Sequence, residues 1–382
     1  MPRTADVVVA GLGAMGSAAT RALARRGLRV VGLDRFQPPH TLGSSHGRSR
    51  IIREAYFEHP AYVPLVQRAY TLWHELEAES GRSLLRTTGG LMVGPPEGVL
   101  VEGARRSARA HGLAHEELSA DEIRRRFPGF APAPGTVGLL EPRAGVLFPE
   151  ACVQAALDGA ASAGAELRTD EHVMGWSEEG GRGGDAVRVT TAREAWSAAH
   201  LVLAVGAWLP RLARALPLAV ERQVMYWFAP RKPALFAPEV CPIALWEFGA
   251  GRLFYTLPDF GDGFKAAIHH DGEATDPDRV RREPTAEDEA DIRAPLTRFL
   301  PAAVGEVREA RVCLYTNTPD QHFLIDRHPD HPRVWIVSPC SGHGFKFASA
   351  IGEVVTDLVT EGRSRFDLAP FSLSRFAPRP GA

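Results

Sequence analysis

Gly11, Gly13 and Gly16 form a GxGxxG run between a β-branched stretch, Ala5–Ala10, and a helix-like stretch, Ser17–Arg26. In a dinucleotide site the first glycine permits a tight turn and the second lets a pyrophosphate approach the backbone. The third lets helix and strand pack closely, and the phosphates sit at the positive end of the helix. Asp34 closes the next strand-like stretch, Leu28–Leu33, where a carboxylate accepts hydrogen bonds from ribose hydroxyls. The motif serves NAD and FAD alike.

Other chemistry-bearing residues cluster at three further places. The segment 38–56 packs His40, His46, Arg48, Arg50 and Arg53 among small residues, with Gly43, Ser44 and Ser45 allowing close backbone approach. Cys313 opens the run Cys-Leu-Tyr-Thr-Asn-Thr-Pro-Asp, ending at Asp320. Ser341-Gly342-His343-Gly344-Phe345-Lys346 leads into a helix, a glycine-rich approach to a helix N-terminus suited to anion or flavin-ring contacts. Of 44 Lys plus Arg residues three are lysine, and two of these, Lys265 and Lys346, end Gly-Phe-Lys tripeptides. An ammonium is a compact charge whose pKa shifts on burial, a property arginine lacks. Codon bias explains the same count, so composition alone leaves both readings open. Lys232, before Pro233, reads as solvated.

The elements that position these groups follow a strand–turn–helix–strand opening of about 30 residues. Ala151–Ala163 reads as a helix, and Glu166–Arg168, Ala186–Thr191 and Ala199–Ala204 read as strands, with a glycine-rich turn at Gly180–Gly184. Glu221–His270 suits a mixed or antiparallel sheet. Asp276–Arg298 reads as an acidic, solvated surface helix, Val334–Val337 as a strand and Phe345–Glu361 as a long amphipathic helix. The nucleotide unit opens the chain and a further α/β piece closes it, so one domain consists of separated segments with the other inserted.

Composition sets bounds on function. The chain has 382 residues, 45% hydrophobic and 24% charged, enough for about two domains. A net charge of -2 favours neither nucleic acid nor an anionic membrane as partner. No stretch has the roughly 20 apolar residues of a membrane span. No signal-peptide pattern opens the chain, making the cytoplasm the default location. Cys152, Cys241, Cys313 and Cys340 contain no CxxC pair, which argues against a disulfide framework and a zinc site.

At DVVVAGLGAMGSAA, PPHTLGSSHGRSRIIREAY, YVPLVQRAYTLWHELE, SGHGFKFASAIGE and DLAPFSLSRF the chain resembles the monomeric sarcosine oxidases and N-methyltryptophan oxidases. These belong to the wider D-amino-acid-oxidase-like flavoproteins, and the resemblance covers nearly the whole length. It implies an α/β fold, glutathione-reductase-like: a discontinuous Rossmann-like FAD-binding domain (1–85, 145–215, 312–382) and a mixed-sheet substrate domain (86–144, 216–311). It implies FAD joined through Cys313 by a thioether, with His46 and Arg50 beside the flavin. Arg53 and Lys346 match a pair that grips the substrate carboxylate, and Lys265 a lysine that promotes reaction with oxygen. Tyr255 and His269 match side chains lining the amine pocket, and Gly11, Gly13, Gly16 and Asp34 match the adenine-dinucleotide site. Ser44, Gly342, Gly344 and Phe345 fall in segments expected at the cofactor.

The implied reaction is oxidation of the C–N bond of a secondary or N-methylated amino acid by oxygen, giving an imine and hydrogen peroxide, by a cytoplasmic monomer. The flavin supplies the redox chemistry and the protein supplies orientation and charge. A cyclic imino acid and a bulky N-methyl aromatic amino acid are alternative substrates. An NAD(P)-dependent dehydrogenase and an inactive flavin-binding protein are alternatives of another class. Ser45, Arg48 and Cys340 depart from the family pattern, which puts flavin charge and attachment in question. Trp246 and Phe248, expected beside the pocket, argue against simple transfer of sarcosine specificity.

Overall fold

The computed structural model describes residues 2–180, 184–249 and 251–377. Its first sheet is built around β1 (Arg3–Ala10), with the parallel strands β2 (Val30–Leu33) and Ala195–Leu203 on either side. Glu166–Arg168 adds outside β2, and His331–Ser338 pairs in parallel with Ala195–Leu203. β1 is apolar in succession from Val7 to Ala10 because both faces are covered there. Val7 and Val9 face a helical layer, and Val8 and Ala10 face a second apolar layer containing Trp196 and Leu209. The helical layer contains α1 (Ala14–Arg25), Pro149–Ser162 and Ala348–Glu361.

The second sheet has nine strands, all antiparallel neighbours except the parallel pair Gly90–Gly94 and Ile243–Glu247. Period-two alternation divides its side chains between two faces. Tyr226, Trp246, Phe254, Phe264 and Ala266 enter a core closed by helix Ala286–Phe299. Met225, Trp227, Ala267 and Cys313 form a cluster with Tyr255 on the other face. A third, three-stranded sheet pairs β3 (Arg50–Ile52) and Leu85–Thr87 with Gly145–Leu147.

The architecture is the expected mixed α/β type. Two local expectations change. The helix expected over Asp276–Arg298 begins only at Ala286, where Thr285 and Asp288 form a reciprocal cap, and its Ile292, Leu296 and Phe299 are buried rather than solvated. Lys346 lies on a single 3₁₀ turn, Phe345–Phe347, immediately before the α-helix. Strands Val173–Glu179 and Ala186–Thr191 are antiparallel, but residues 181–183 of the expected glycine-rich turn lie outside the described residues. No described helix is long and apolar enough to cross a membrane.

Candidate active site

A cavity of about 740 Å³ runs between the two large sheets, from Asp34, His172 and Met174 at one end to Tyr255, His269 and Lys346 at the other. At the first end the chain makes a cradle that tolerates no side chain. A Cβ on Gly16 would lie 1.7 Å from the carbonyl oxygen of Gly11, and one on Gly11, at φ +90°, would lie 2.5 Å from that of Ala204. Helix α1 starts at Gly13 without a side-chain cap or an acidic first turn, leaving its positive end available to an anion. The amide of Ala14 donates to Ser45 Oγ at 3.0 Å. Asp34 accepts from the amides of Leu12 and Phe36 at 2.7 and 2.8 Å, which fixes its carboxylate on the cavity wall.

Arg50 and Cys313 meet midway. Arg50 Nη2 lies 3.5 Å from Cys313 Sγ and donates to the carbonyl of Ser44 at 3.1 Å, while Nη1 contacts Met225 Sδ at 3.1 Å. The Ser44 hydroxyl donates to the carbonyl of Leu314 at 2.5 Å, tying this loop to the strand of Cys313. His46 is 0% exposed with neither ring nitrogen hydrogen-bonded. Burial, helped by Arg50 and Lys265, pushes its pKa down to about 3, so its ring is neutral.

Two cations share the inner end. Arg53, 2% exposed, places its guanidinium carbon 4.3 Å from the Tyr56 ring centre, and Lys346 Nζ stands 5.0 Å from the same centre. Arg53 Nη2 donates to both carboxylate oxygens of Glu58 at 2.8 and 2.7 Å, and Nη1 donates to the carbonyl of Ala55 at 3.0 Å. Lys346 Nζ donates to the carbonyl of His343 at 2.7 Å and to Tyr56 Oη at 3.3 Å. Burial, with Arg53 adding to it against Glu58, pushes Lys346 down to about 7. His343, driven down to about 3 by burial, bonds through Nε2 to the carbonyl of Gln321 at 3.0 Å and through Nδ1 to the Tyr56 hydroxyl at 2.6 Å. A neutral imidazole protonated on Nε2 satisfies both partners.

Across the cavity, His269 Nδ1 lies 3.3 Å from Tyr315 Oη, and burial keeps the His269 ring neutral. Gly342, at φ +79°, lets these rings close in, since its Cβ would fall 2.5 Å from the Tyr315 ring and 3.0 Å from His269 Cε1. Gly344 is equally confined, its Cβ falling 1.6 Å from the carbonyl oxygen of Pro339.

Residues 6–358 match the family model described as FAD dependent oxidoreductase (DAO). The chain belongs to this family. It is 43% identical to a monomeric sarcosine oxidase of Streptomyces avermitilis over the full length of both chains. It is 34% identical to an N-methyl-L-tryptophan oxidase of Yersinia pestis, covering 97% of this chain and 99% of the relative. Among solved structures, the open form of NikD, an amino acid oxidase of nikkomycin biosynthesis, superposes with a TM-score of 0.84 at 23% identity over 97% of both chains, a likeness of fold.

Membership assigns FAD to this flavoprotein's dinucleotide site, in place of the nicotinamide alternative. The residues present fit that cofactor: glycine cradles confine the chain at both ends of the cavity, and Asp34 stands where the ribose-binding acid is expected.

Of the residues singled out in the sequence, Gly11, Gly13, Asp34, Ser44, Arg50, Arg53, Tyr255, Cys313, Gly342, Gly344, Phe345, Lys346 and His269 line the one cavity. Gly16 underlies the cradle, and His46 and Lys265 sit behind the wall. Lys265 Nζ donates to the carbonyls of Gly47 and Ser49, both at 2.7 Å, while burial pulls its pKa well below the usual lysine value. Two features marked in the sequence lie outside the cavity lining. The Arg48 side chain pairs with Asp262 at 3.2 Å and with Glu309, outside the cavity lining. Trp246 and Phe248 pack into the core on the far face of the sheet, and Leu245 lines the cavity instead. Cys340 does line it, with burial raising its thiol to about 11. Sequence reasoning passed over Glu58, Tyr56 and Tyr315, and read His343 only as part of a glycine run. The charge at Glu58, five residues beyond Arg53, was the one available signal.

Proposed function

We propose that this flavoprotein oxidises the C–N bond of a secondary or N-methylated amino acid, with oxygen as acceptor, giving an imine that hydrolyses and hydrogen peroxide. The observation that carries the reading is the inner end of the cavity, where the buried Arg53 already holds a carboxylate, that of Glu58, with Lys346 alongside. A substrate carboxylate that displaces Glu58 receives charge-assisted hydrogen bonds from a forked guanidinium and an ammonium. Those bonds fix the amine end towards the middle of the cavity, where orientation lowers the barrier. Tyr255 and the neutral His269 border the amine without placing a positive charge against it.

FAD, when bound, accepts the two electrons and passes them to oxygen. Gly11, Gly13, Gly16 and Asp34 would hold its adenine half, and Ser44, Gly342, Gly344 and Phe345 would confine it elsewhere; the Cys313 sulfur would replace one hydrogen of a flavin methyl group to form a thioether, the two protons and two electrons passing to oxygen. Arg50, 3.5 Å from that sulfur, and the neighbouring His46 set the charge there. The family resemblance assigns to Lys265, held behind the Gly47–Ser49 segment by two carbonyls, the part of promoting the reaction with oxygen. The Yersinia relative's name supports a bulky N-methyl aromatic substrate as the second reading. The Streptomyces relative's name supports a monomer.

The first test is the visible spectrum of the purified protein before and after acid precipitation, then anaerobic reduction by a panel of sarcosine, N-methyltryptophan and proline. Yellow colour retained in the precipitate, and lost from it in Cys313→Ala, is the expected result, with bleaching by sarcosine. Colour released from the native protein ends the attachment reading. FAD that no secondary amino acid reduces ends the proposed reaction.

A further inference from the structure

The segment that carries Arg50 and Arg53 is held at both ends by carboxylates, the half-buried Glu150 and the buried Glu141. Glu150, at the start of helix Pro149–Ser162, accepts from the amides of Gly47 at 2.8 Å and Arg48 at 3.1 Å. Glu141, at the end of strand Val137–Glu141 and 1% exposed, accepts from the amide of Glu54 through Oε1 at 2.7 Å and from that of Ala55 through Oε2 at 2.8 Å.

Two successive amides that converge on one point cannot both be served by a neighbouring strand, because amides alternate in direction along an extended chain. A bidentate anion serves both. The chain leaves β3 here, and the residue fixed by the second amide, Ala55, presents its carbonyl to Arg53 Nη1 at 3.0 Å. Glu141 therefore fixes the amide of Ala55, the residue whose carbonyl, in the next peptide unit, receives the Arg53 guanidinium, while Nη2 is directed at the carboxylate of Glu58.

We propose that Glu141 is a positioning residue for the substrate carboxylate, acting on Arg53 through the Glu54–Ala55 backbone. The inference rests on the reading that Arg53 grips the substrate.

The charged and titratable groups facing Glu141 are few. Arg53 and Glu54 come from its own partner segment, and Glu54 pairs with Arg143 at 3.0 Å. Tyr70, on helix Val63–Ser80, donates its hydroxyl to the carbonyl of Arg143 at 2.9 Å and is buried near both acids. Burial raises Glu141 to about 7, against the two amide bonds and Arg53. Protonation puts a hydrogen on an oxygen that faces an amide hydrogen, so the hold on the backbone weakens as pH falls through about 7.

The test compares the holoenzyme with its Glu141→Gln and Arg53→Lys variants, using acetate as a carboxylate-only probe read from flavin absorbance. With Glu141→Gln, the acetate Kd and the sarcosine KM rise about tenfold, while kcat stays within about twofold and flavin content is retained. Arg53→Lys weakens acetate more strongly. If Arg53→Lys binds acetate normally, the gripping role fails and the positioning role with it. If Arg53→Lys loses acetate and Glu141→Gln does not, the positioning role fails alone. Should Glu141→Gln not fold, Glu141→Asp gives an independent reading, since it keeps the charge and shortens its reach to the two amides. Acetate affinity weakens in folded Glu141→Asp with flavin content retained, and native affinity there overturns the proposal.

Discussion

Lys346 and Arg53 lie over one tyrosine ring yet differ in what pH does to them. Arginine keeps its charge, whereas burial and the neighbouring guanidinium bring Lys346 to about 7. A bound carboxylate favours the protonated lysine, so the contribution of Lys346 is complete at lower pH and lost as pH rises through about 7. Glu141 works in the opposite sense, but through the backbone, and the direct contact is the larger. The native enzyme accordingly binds acetate more weakly as pH rises from 6 to 8. Lys346→Met lowers affinity at pH 6 by about 10- to 100-fold, as expected for a hydrogen bond to a charged group, and reverses the slope. An unchanged profile measured by spectral titration removes Lys346 from the carboxylate site.

At the scale of elements, the second sheet separates stability from chemistry by alternation. On strand Ile243–Glu247, Leu245 points to the cavity and Trp246 into a core with Phe130, Phe254 and Phe299. Register carries the same division across neighbours: Leu245 pairs with Tyr255, Tyr255 with Ala267, and Gln223 with Cys313. Trp246→Ala is expected to cost about 3–5 kcal/mol in urea unfolding, the usual loss for a large aromatic in a core. The sarcosine KM of the folded variant stays unchanged, and a shift in substrate preference would mean that this face communicates with the cavity.

At the scale of the molecule, the cavity is a seam between two sheets drawn together by polar ties. Asp278 joins Arg35 at 2.6 Å and the Trp208 indole at 2.8 Å, and Lys265 reaches across to Gly47 and Ser49. A cofactor filling this seam contacts both sides and binds the folded state alone. In a Cys313→Ala variant stripped of flavin, adding FAD at about 100 times its Kd stabilises folding by about 2.7 kcal/mol. Equal denaturation midpoints with and without FAD would mean that the cofactor does not hold the two sheets together.

The sequence by itself determined what depends on neighbours in the chain. The glycines of the first turn, the Asp34 at the end of β2 and the parallel strands that read as unbroken apolar runs are short-range consequences of φ angles, helix ends and two-sided burial. The motifs around Cys313 and Lys346 were legible for the same reason, as compact stretches of unusual residues. The tertiary structure decided what depends on register and on which face a side chain takes. Trp246 and Leu245 are adjacent in the chain and opposite in space. Lys265 and His46 belong to the site's surroundings while lying behind its wall. Arg53 meets Glu58, and the amide of the next residue, Glu54, is bound by Glu141, which comes from a strand nearly ninety residues further along. Such contacts join residues whose separation along the chain carries no periodic signal, so the fold alone selects the partners.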